Sequence, residues 1–445
     1  PERSEKGWLS VGVPGTVLGL ETARKEFGTM ERAPLMAPAI ALARDGFVVK
    51  PGDADILHDL GPIDDRAKAI FMPKGREIRA GDVLRQPQLA RTLELISKDG
   101  PDAFYRGPIA RAIVAESDKH GGILTMRDFA NYDVEESAPL HCSFHGYDLA
   151  SAPPPSSGGT TLCEILNIIA PYPLAAWGWH SARSVHYVTE AERRAYADRN
   201  AYLGDPDFVN DPVSTLLSAN YAAKLRGEIQ PHRATPSSDV KPGLGPVAHE
   251  HGETTHFSIV DRWGNAVAMT YTINAGFGAG VIGGDTGFFL NDEMDDFTSK
   301  PGSPNMFGLV QGVRNDVEPG KRPLSSMTPT IVTKDGKLVM LTGSPGGSRI
   351  ITIVLETLLD ALVYGMNAQQ AADAPRTHMQ WLPDRLEYEP DAIDANVRTA
   401  LASMGYKLAS QEQWGSAQVI VVDPASGMRY GGSDRSTPAG AALGY

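Results

Sequence analysis

A threonine hydroxyl becomes a useful nucleophile when the residue's own α-amine serves as its base, which requires threonine at a free amino terminus. The stretch Glu253-Thr254-Thr255-His256-Phe257-Ser258-Ile259-Val260-Asp261 offers such a residue in Thr254. Thr254 is internal, so the scheme demands a cut between Glu253 and Thr254. Thr255, Phe257 and Ile259 alternate with His256, Ser258 and Val260, which reads as a strand with two unlike faces. Asp261 to Asn265 is a turn, and Ala266 to Ile273 is a second β-type run, so the pair reads as a hairpin. If Val260 sits opposite Ala266, Thr254 sits opposite Thr272, with Asn274 just beyond. Two such strands do not by themselves require catalysis, because threonine is an ordinary β-former.

Three further constellations could serve such a nucleophile. Glu293 and Asp296, three apart near a turn, suit a metal, an acid/base pair, an ammonium group or plain solvation. Ser325-Ser326 could donate hydroxyl protons to a carboxylate, and the backbone N–H groups of Gly346 and Gly347 could form an oxyanion hole. Simple helix capping uses the same residue types. Geometry links these two pairs. Pro329 to Thr333 and Leu338 to Thr342 flank Lys334-Asp335-Gly336-Lys337, and Asp-Gly is the preferred two-residue hairpin turn. With Lys334 facing Lys337, Ser325 comes out level with Gly346. The glycine pair then opens a helix whose apolar stripe runs from Ile350 to Leu362, with Gly365 as its stop.

Other candidates are weaker. The glycine-rich stretch 274–287 has neither P-loop nor dinucleotide spacing, so phosphate binding is rejected in favour of close backbone packing. His249-Glu250-His251 lacks a third metal ligand nearby and reads as loop. Pro153-Pro154-Pro155-Ser156-Ser157-Gly158-Gly159 is a rigid arm feeding a helix through Ile169, either an anion site or an ordinary cap. The charged residues of the helix Ser184 to Ala201, namely Glu190, Glu192, Arg193, Arg194, Asp198 and Arg199, read as a solvated or salt-bridged face.

The elements that must position these groups come from a long chain. Its 445 residues suffice for one large domain or two ordinary ones, and 42% hydrophobic with 21% charged residues is a globular composition. A net charge of −13 argues against a nucleic-acid or anionic-membrane partner, and no apolar run reaches the length of a span. The two cysteines, Cys142 and Cys163, sit in apolar settings and read as buried thiols. Helices are expected over Val17–Phe27, Ala33–Asp45, Gln88–Lys98 and Pro108–His120. A short hairpin is expected over Leu140–Phe144 and Tyr147–Ser151, and a strand over Ala417–Val422. Pro231 to Glu253 reads as loop, suiting a tail that must move away after a cut. The chain begins with Pro1 and shows no signal peptide, so a piece was removed or this is a fragment.

Thr254-Thr255-His256-Phe257-Ser258 resembles the start of the small subunit of γ-glutamyltransferases, which are N-terminal-nucleophile hydrolases. Asn291 to Phe297, Arg322 to Met327 and Thr342 to Arg349 are similar to further small-subunit motifs, while Pro153 to Gly159 and Tyr196-Ala197-Asp198-Arg199 match the large subunit. The resemblance runs in order from about Gly12 to Tyr445. It implies an α+β fold of four αββα layers, with residues 1–253 as part of a large subunit and 254–445 as the small subunit, both in one domain. It implies self-cutting at Glu253-Thr254, Thr254 as nucleophile assisted by Thr272, and Gly346 and Gly347 as oxyanion donors. Asn274, Glu293, Asp296, Ser325 and Ser326 would bind the α-amino and α-carboxyl ends of a γ-glutamyl group. Glutathione and related compounds would be donors, water or amines and peptides acceptors, with no cofactor or metal required. The family habit is periplasmic or secreted. The family often has a tyrosine where Phe307 stands in the expected lid 299–309, bonded to the residue matching Asn274, and Phe307 lacks the hydroxyl. The family arginine that grips the substrate carboxylate has no motif match here. Rival readings are a glutaryl-type cephalosporin acylase on the same scaffold and a non-catalytic, uncut chain.

Overall fold

The computed structural model describes residues 2–58, 60–61, 63–243, 253–298, 312–437 and 439–444. It divides into two compact units, Pro1–Ser137 with Thr272–Asp295, and Ala138–Tyr271 with Asp296–Tyr445.

The first unit is helical. Helices Thr16–Phe27, Arg32–Asp45, Pro87–Asp99 and Pro108–Lys119 fall within a residue or so of the spans that the Pro and Gly punctuation predicts. Its core joins Ile96, Phe104, Ile109, Ile113 and Phe129 to Ala279, Val281 and Leu290 from the returning segment. The glycines of that segment do serve close packing. At Gly278, with φ +53°, a Cβ would lie 2.1 Å from the Leu290 carbonyl oxygen.

The second unit is layered. Its principal elements are β1 (Leu140–Phe144), β2 (Tyr147–Ser151), α1 (Gly158–Ile169), α2 (Ala182–Tyr202) and β3 (Glu253–Val260). Then come β4 (Ala266–Asn274), β5 (Thr330–Lys334), β6 (Lys337–Gly343), α3 (Ile350–Leu362), β7 (Gln418–Val422) and β8 (Arg429–Ser433). Six strands form one antiparallel sheet in the order β8-β7-β6-β5-β2-β1. Because side chains alternate across a strand, the two faces of β6 read differently. Met340 joins the core made by α1, α2 and α3, and Thr342 Oγ1 lies 2.8 Å from Thr357 Oγ1 of α3. Gly343 has the opposite parity, and a Cβ there would lie 2.2 Å from the His256 ring of β3. Helices therefore cover one face of the sheet and β3, paired with β4, lies against the other. This α+β arrangement of helices, sheet and sheet follows the αββα layer order.

Three expectations need correction. Lys334 does face Lys337, but a one-residue shift between Val332 and Thr333 puts Thr330 opposite Thr342. By count, Ser326 rather than Ser325 then falls level with Gly346. A bulge leaves no mark in a hydrophobic pattern, so the turn alone could not reveal it. Of the two readings of the charged residues of α2, the solvated one fails and the salt-bridged one holds for Glu190, Arg193 and Arg194: Glu190, Glu192, Arg193, Arg194, Asp198 and Arg199 are each at most 2% exposed. Glu190 pairs with Arg193 at 3.3 Å and with Arg194 at 2.7 Å. Burial, together with the neighbouring carboxyl of Asp198, pushes Glu164 of α1 well above the usual carboxylate range. Paired interior charges and solvated surface charges give the same helical spacing, which is why the pattern misleads. Finally, Cys142 and Cys163 form a disulfide pinning β1 to α1 across 21 residues. On a chain-entropy basis closing such a loop contributes about 3 kcal/mol.

Candidate active site

Thr254 is the second residue of β3 and half-buried. It shares a strand face with His256 and Ser258. His256 Nδ1 lies 2.7 Å from Thr270 Oγ1 of β4, and its Nε2 lies 3.0 Å from Ser258 Oγ. Residues 256 and 270 are opposite in the register that sets Val260 against Ala266, so this contact agrees with the expected hairpin. The Asp261 N–H donates to the Asn265 carbonyl at 3.0 Å, closing the turn. Burial pushes His256 down to about 4, leaving a neutral imidazole at physiological pH.

In the second unit the serine and glycine pairs are both tied to α2. Ser325 forms an isolated parallel bridge with Ser156, its N–H donating to the Pro155 carbonyl at 2.9 Å and its carbonyl accepting the Ser157 N–H at 2.7 Å. Ser325 Oγ accepts the Met327 N–H at 3.2 Å. Ser326 Oγ accepts from Arg199 Nη2 at 2.8 Å. Both hydroxyl oxygens thus receive a donor. Gly346 (φ +137°) caps, and Gly347 (φ +58°) opens, a 3-10 turn, Gly347–Arg349, that leads into α3. Among the described residues neither glycine N–H has an acceptor. Successive donors of this kind form an anion-binding concavity. The Tyr196 hydroxyl donates to the Ser348 carbonyl, and Arg199, one turn further along α2, reaches Ser326.

Thr272, Asn274 and Glu293 belong to the first unit, whereas Thr254, Asp296 and the serine and glycine pairs belong to the second. Thr272 Oγ1 accepts the Asn274 N–H at 2.8 Å. Asn274 is buried at φ +68°, a left-handed conformation asparagine tolerates, and its Nδ2 donates to the Asp292 carbonyl at 3.2 Å. Asp292 Oδ1 accepts the Ala275 N–H at 2.9 Å. Glu293 and Asp296 are the two ends of one 3-10 turn, the first half-buried and the second 6% exposed. Phe307, the loop 299–309 and His249-Glu250-His251 lie outside the described residues, while Glu253 heads β3.

Asp292 carries a pH signature. Burial pushes its carboxyl up to about 7. A folded-state value above the unfolded one means that the folded chain holds the extra proton between about pH 4 and 7. The contribution is fully present below the unfolded value and is lost as pH rises through the folded one. Asp292→Asn keeps an oxygen for the Ala275 N–H. Relative to the parent it should gain about 1.4 kcal/mol per pH unit across that window and level off above pH 7. Denaturant midpoints of both proteins between pH 4 and 8 check this; parallel curves exclude it.

The family model described as gamma-glutamyltranspeptidase matches residues 1–444. The chain belongs to the γ-glutamyltranspeptidase family. A glutathione hydrolase proenzyme of Pseudomonas sp. (strain A14) is 51% identical over 99% of this chain and 79% of its own length. That of Escherichia coli (strain K12) is 46% identical over 97% and 75%. Among solved structures, a cephalosporin acylase from Bacillus halodurans superposes with a TM-score of 0.85 at 29% identity, over 97% of this chain and 77% of that one. The Helicobacter pylori γ-glutamyltranspeptidase does so with 0.54 at 41% identity, over 55% and 71%. The fold is that of the N-terminal-nucleophile hydrolases, and the protein is an enzyme of this family.

Sequence reasoning missed three supporting residues. Arg199 and Tyr196 were legible within the large-subunit motif, yet the charges of α2 read as a solvated or salt-bridged face with no link to the serine pair. Asp292 sits inside the motif from Asn291 to Phe297, but nothing in the spacing marks it as the partner of Ala275.

Proposed function

We propose that the protein is a self-processing γ-glutamyltransferase and glutathione hydrolase. In this reading the precursor is cut between Glu253 and Thr254, giving a heterodimer of large and small subunits. The freed α-amine of Thr254 takes the proton from its own hydroxyl, and the oxygen attacks the γ-amide carbonyl of glutathione or a related donor. The N–H groups of Gly346 and Gly347 stabilise the oxyanion. Collapse expels the amine, which leaves with the proton held by the α-ammonium, and a γ-glutamyl-Thr254 ester remains. Water or an acceptor amine then resolves the ester. Thr272 hydrogen-bonds the nucleophile, Ser325 and Ser326 hold the α-carboxylate, and Asn274, Glu293 and Asp296 hold the α-ammonium end. These steps use only the chain's own groups.

The observation that carries the reading is the state of the serine pair. Each hydroxyl oxygen already accepts a hydrogen bond, from the Met327 N–H and from Arg199, so each proton is left for an external acceptor. A carboxylate fits two such donors with a cation behind them. The disulfide supports an oxidising compartment, periplasmic or extracellular, and no helix among the described residues is long and apolar enough to cross a membrane.

The likeness to a cephalosporin acylase favours one other reading, a glutaryl donor, which carries the terminal carboxylate but no ammonium. Glu293 and Asp296 separate the two, because two carboxylates complement an α-ammonium that the glutaryl group lacks. We expect γ-glutamyl p-nitroanilide to exceed glutaryl p-nitroanilide in kcat/KM by roughly a hundredfold, the worth of one charge-assisted contact. Equal or faster turnover of the glutaryl compound would favour the acylase.

A further inference from the structure

α2 places a guanidinium directly behind the serine pair. Arg199 is 0% exposed. Its Nε donates to Ser157 Oγ at 2.8 Å, its Nη1 to Asn200 Oδ1 at 2.8 Å and its Nη2 to Ser326 Oγ at 2.8 Å. Ser157 in turn donates its hydroxyl proton to the Ser325 carbonyl at 2.6 Å. One side chain therefore reaches both serines, Ser326 through its hydroxyl and Ser325 through its backbone. A cation donating into a hydroxyl oxygen does two things. It occupies a lone pair, which turns the O–H proton away from the guanidinium, and it polarises that O–H toward a stronger acceptor.

We propose that Arg199 is a positioning residue for donor recognition. It fixes Ser326 as an outward hydrogen-bond donor and, through Ser157, sets the height of Ser325, so that the pair reads the substrate's α-carboxylate. Being fully buried, Arg199 acts through the serines and does not touch the substrate. The proposal rests on the carboxylate role given to Ser325 and Ser326 above. It also makes α2 the common frame of the site, since the Tyr196 hydroxyl on the preceding turn holds the Ser348 carbonyl beside the glycine pair.

The test uses the full-length protein after maturation and two donors. γ-Glutamyl p-nitroanilide carries the α-carboxylate; 4-aminobutyryl p-nitroanilide keeps the amine and lacks it. Arg199→Met should raise KM for the first roughly ten- to hundredfold, the worth of a hydrogen bond to a charged group, and leave kcat/KM for the second within about threefold. Arg199→Lys should recover part of the loss. Adding Arg199→Met to Ser326→Ala should cost clearly less than the sum of the two single penalties, because the Arg199–Ser326 interaction is common to both and only the arm through Ser157 to Ser325 is left to lose. Equal losses on the two donors, or penalties that add in the double variant, would reduce Arg199 to fold support and overturn the proposal. Should Arg199→Met fail to mature, Ser157→Ala, which removes the Nε partner together with its hydroxyl bond to the Ser325 carbonyl and leaves the Arg199–Ser326 contact, must show the same selectivity on a smaller scale; a donor-independent loss there overturns it equally. An unchanged KM for the γ-glutamyl donor in Ser326→Ala contradicts the underlying carboxylate reading. Selective loss in Ser326→Ala without selectivity in the Arg199 variants removes this inference alone.

Discussion

Thr254→Ala should leave a single uncut polypeptide and lower γ-glutamyl turnover by at least about four orders of magnitude, or about 5.5 kcal/mol of barrier. One oxygen serves two reactions in this scheme. It attacks the Glu253 carbonyl during maturation and the donor amide during turnover, so its loss removes both at once. Nothing else on that strand face substitutes for it. His256 is two residues away, but both its ring nitrogens are engaged, with Thr270 and Ser258, and its buried ring stays neutral. It can hold the hairpin in register; the base left for Thr254 is its own amine. Thr254→Ser keeps the oxygen and loses only the methyl group, so it should still be cut and still turn over, more slowly. Intact-mass measurement and amino-terminal sequencing of every chain in each preparation read the result. Two chains from Thr254→Ala, or turnover within tenfold of the parent, would sink the nucleophile assignment.

What the sequence disclosed and what it hid follow the range of the interactions. The strands 140–144 and 147–151, the Asp-Gly turn at 335–336 and the Thr254 hairpin are local, and alternation with turn chemistry specifies them. The bulge near Val332 is local too, yet it changes no residue type, and it moved the expected alignment of Ser325 and Gly346 by one position. The serine and glycine pairs were visible as motifs. The arm carrying Ser156 and Ser157 was visible as a helix start, without its partner. That Ser157, Arg199 and Ser326 converge depends on contacts separated by 42 and 127 residues, which no pattern within one element encodes. The same holds for the Cys142–Cys163 bridge, whose two ends lie on a strand and a helix with different periods. Interior charge is the general case. A helix whose acids and bases satisfy one another inside the core reads as a surface helix until its neighbours are known.

The second large effect concerns Gly346. Its backbone sits at φ +137° and ψ 16°, a conformation that side chains rarely adopt, and a Cβ there would lie 3.0 Å from Ile353 Cδ1. Gly346→Ala therefore meets an intrinsic backbone cost of about 1–3 kcal/mol and a tight contact with the end of a flexible side chain. The chain can relieve both by rotating the peptide, and that rotation re-aims the Gly346 N–H that the proposed oxyanion hole uses. An oxyanion donor matters most when charge develops on the carbonyl oxygen, so the loss should fall on kcat, by roughly a hundred- to a thousandfold, with KM nearly unchanged. The serine pair, held by Arg199 and the Pro155 arm, is untouched by the change, which is why donor binding should persist. Combining Gly346→Ala with Ile353→Val separates the two causes. If crowding against Ile353 were responsible, the shorter side chain would restore kcat. If the backbone conformation is responsible, as the φ value argues, the double variant stays as slow as the single one. A rise in KM equal to the fall in kcat/KM, with kcat preserved, would mean that Gly346 shapes the ground-state pocket and that its N–H does not serve the oxyanion.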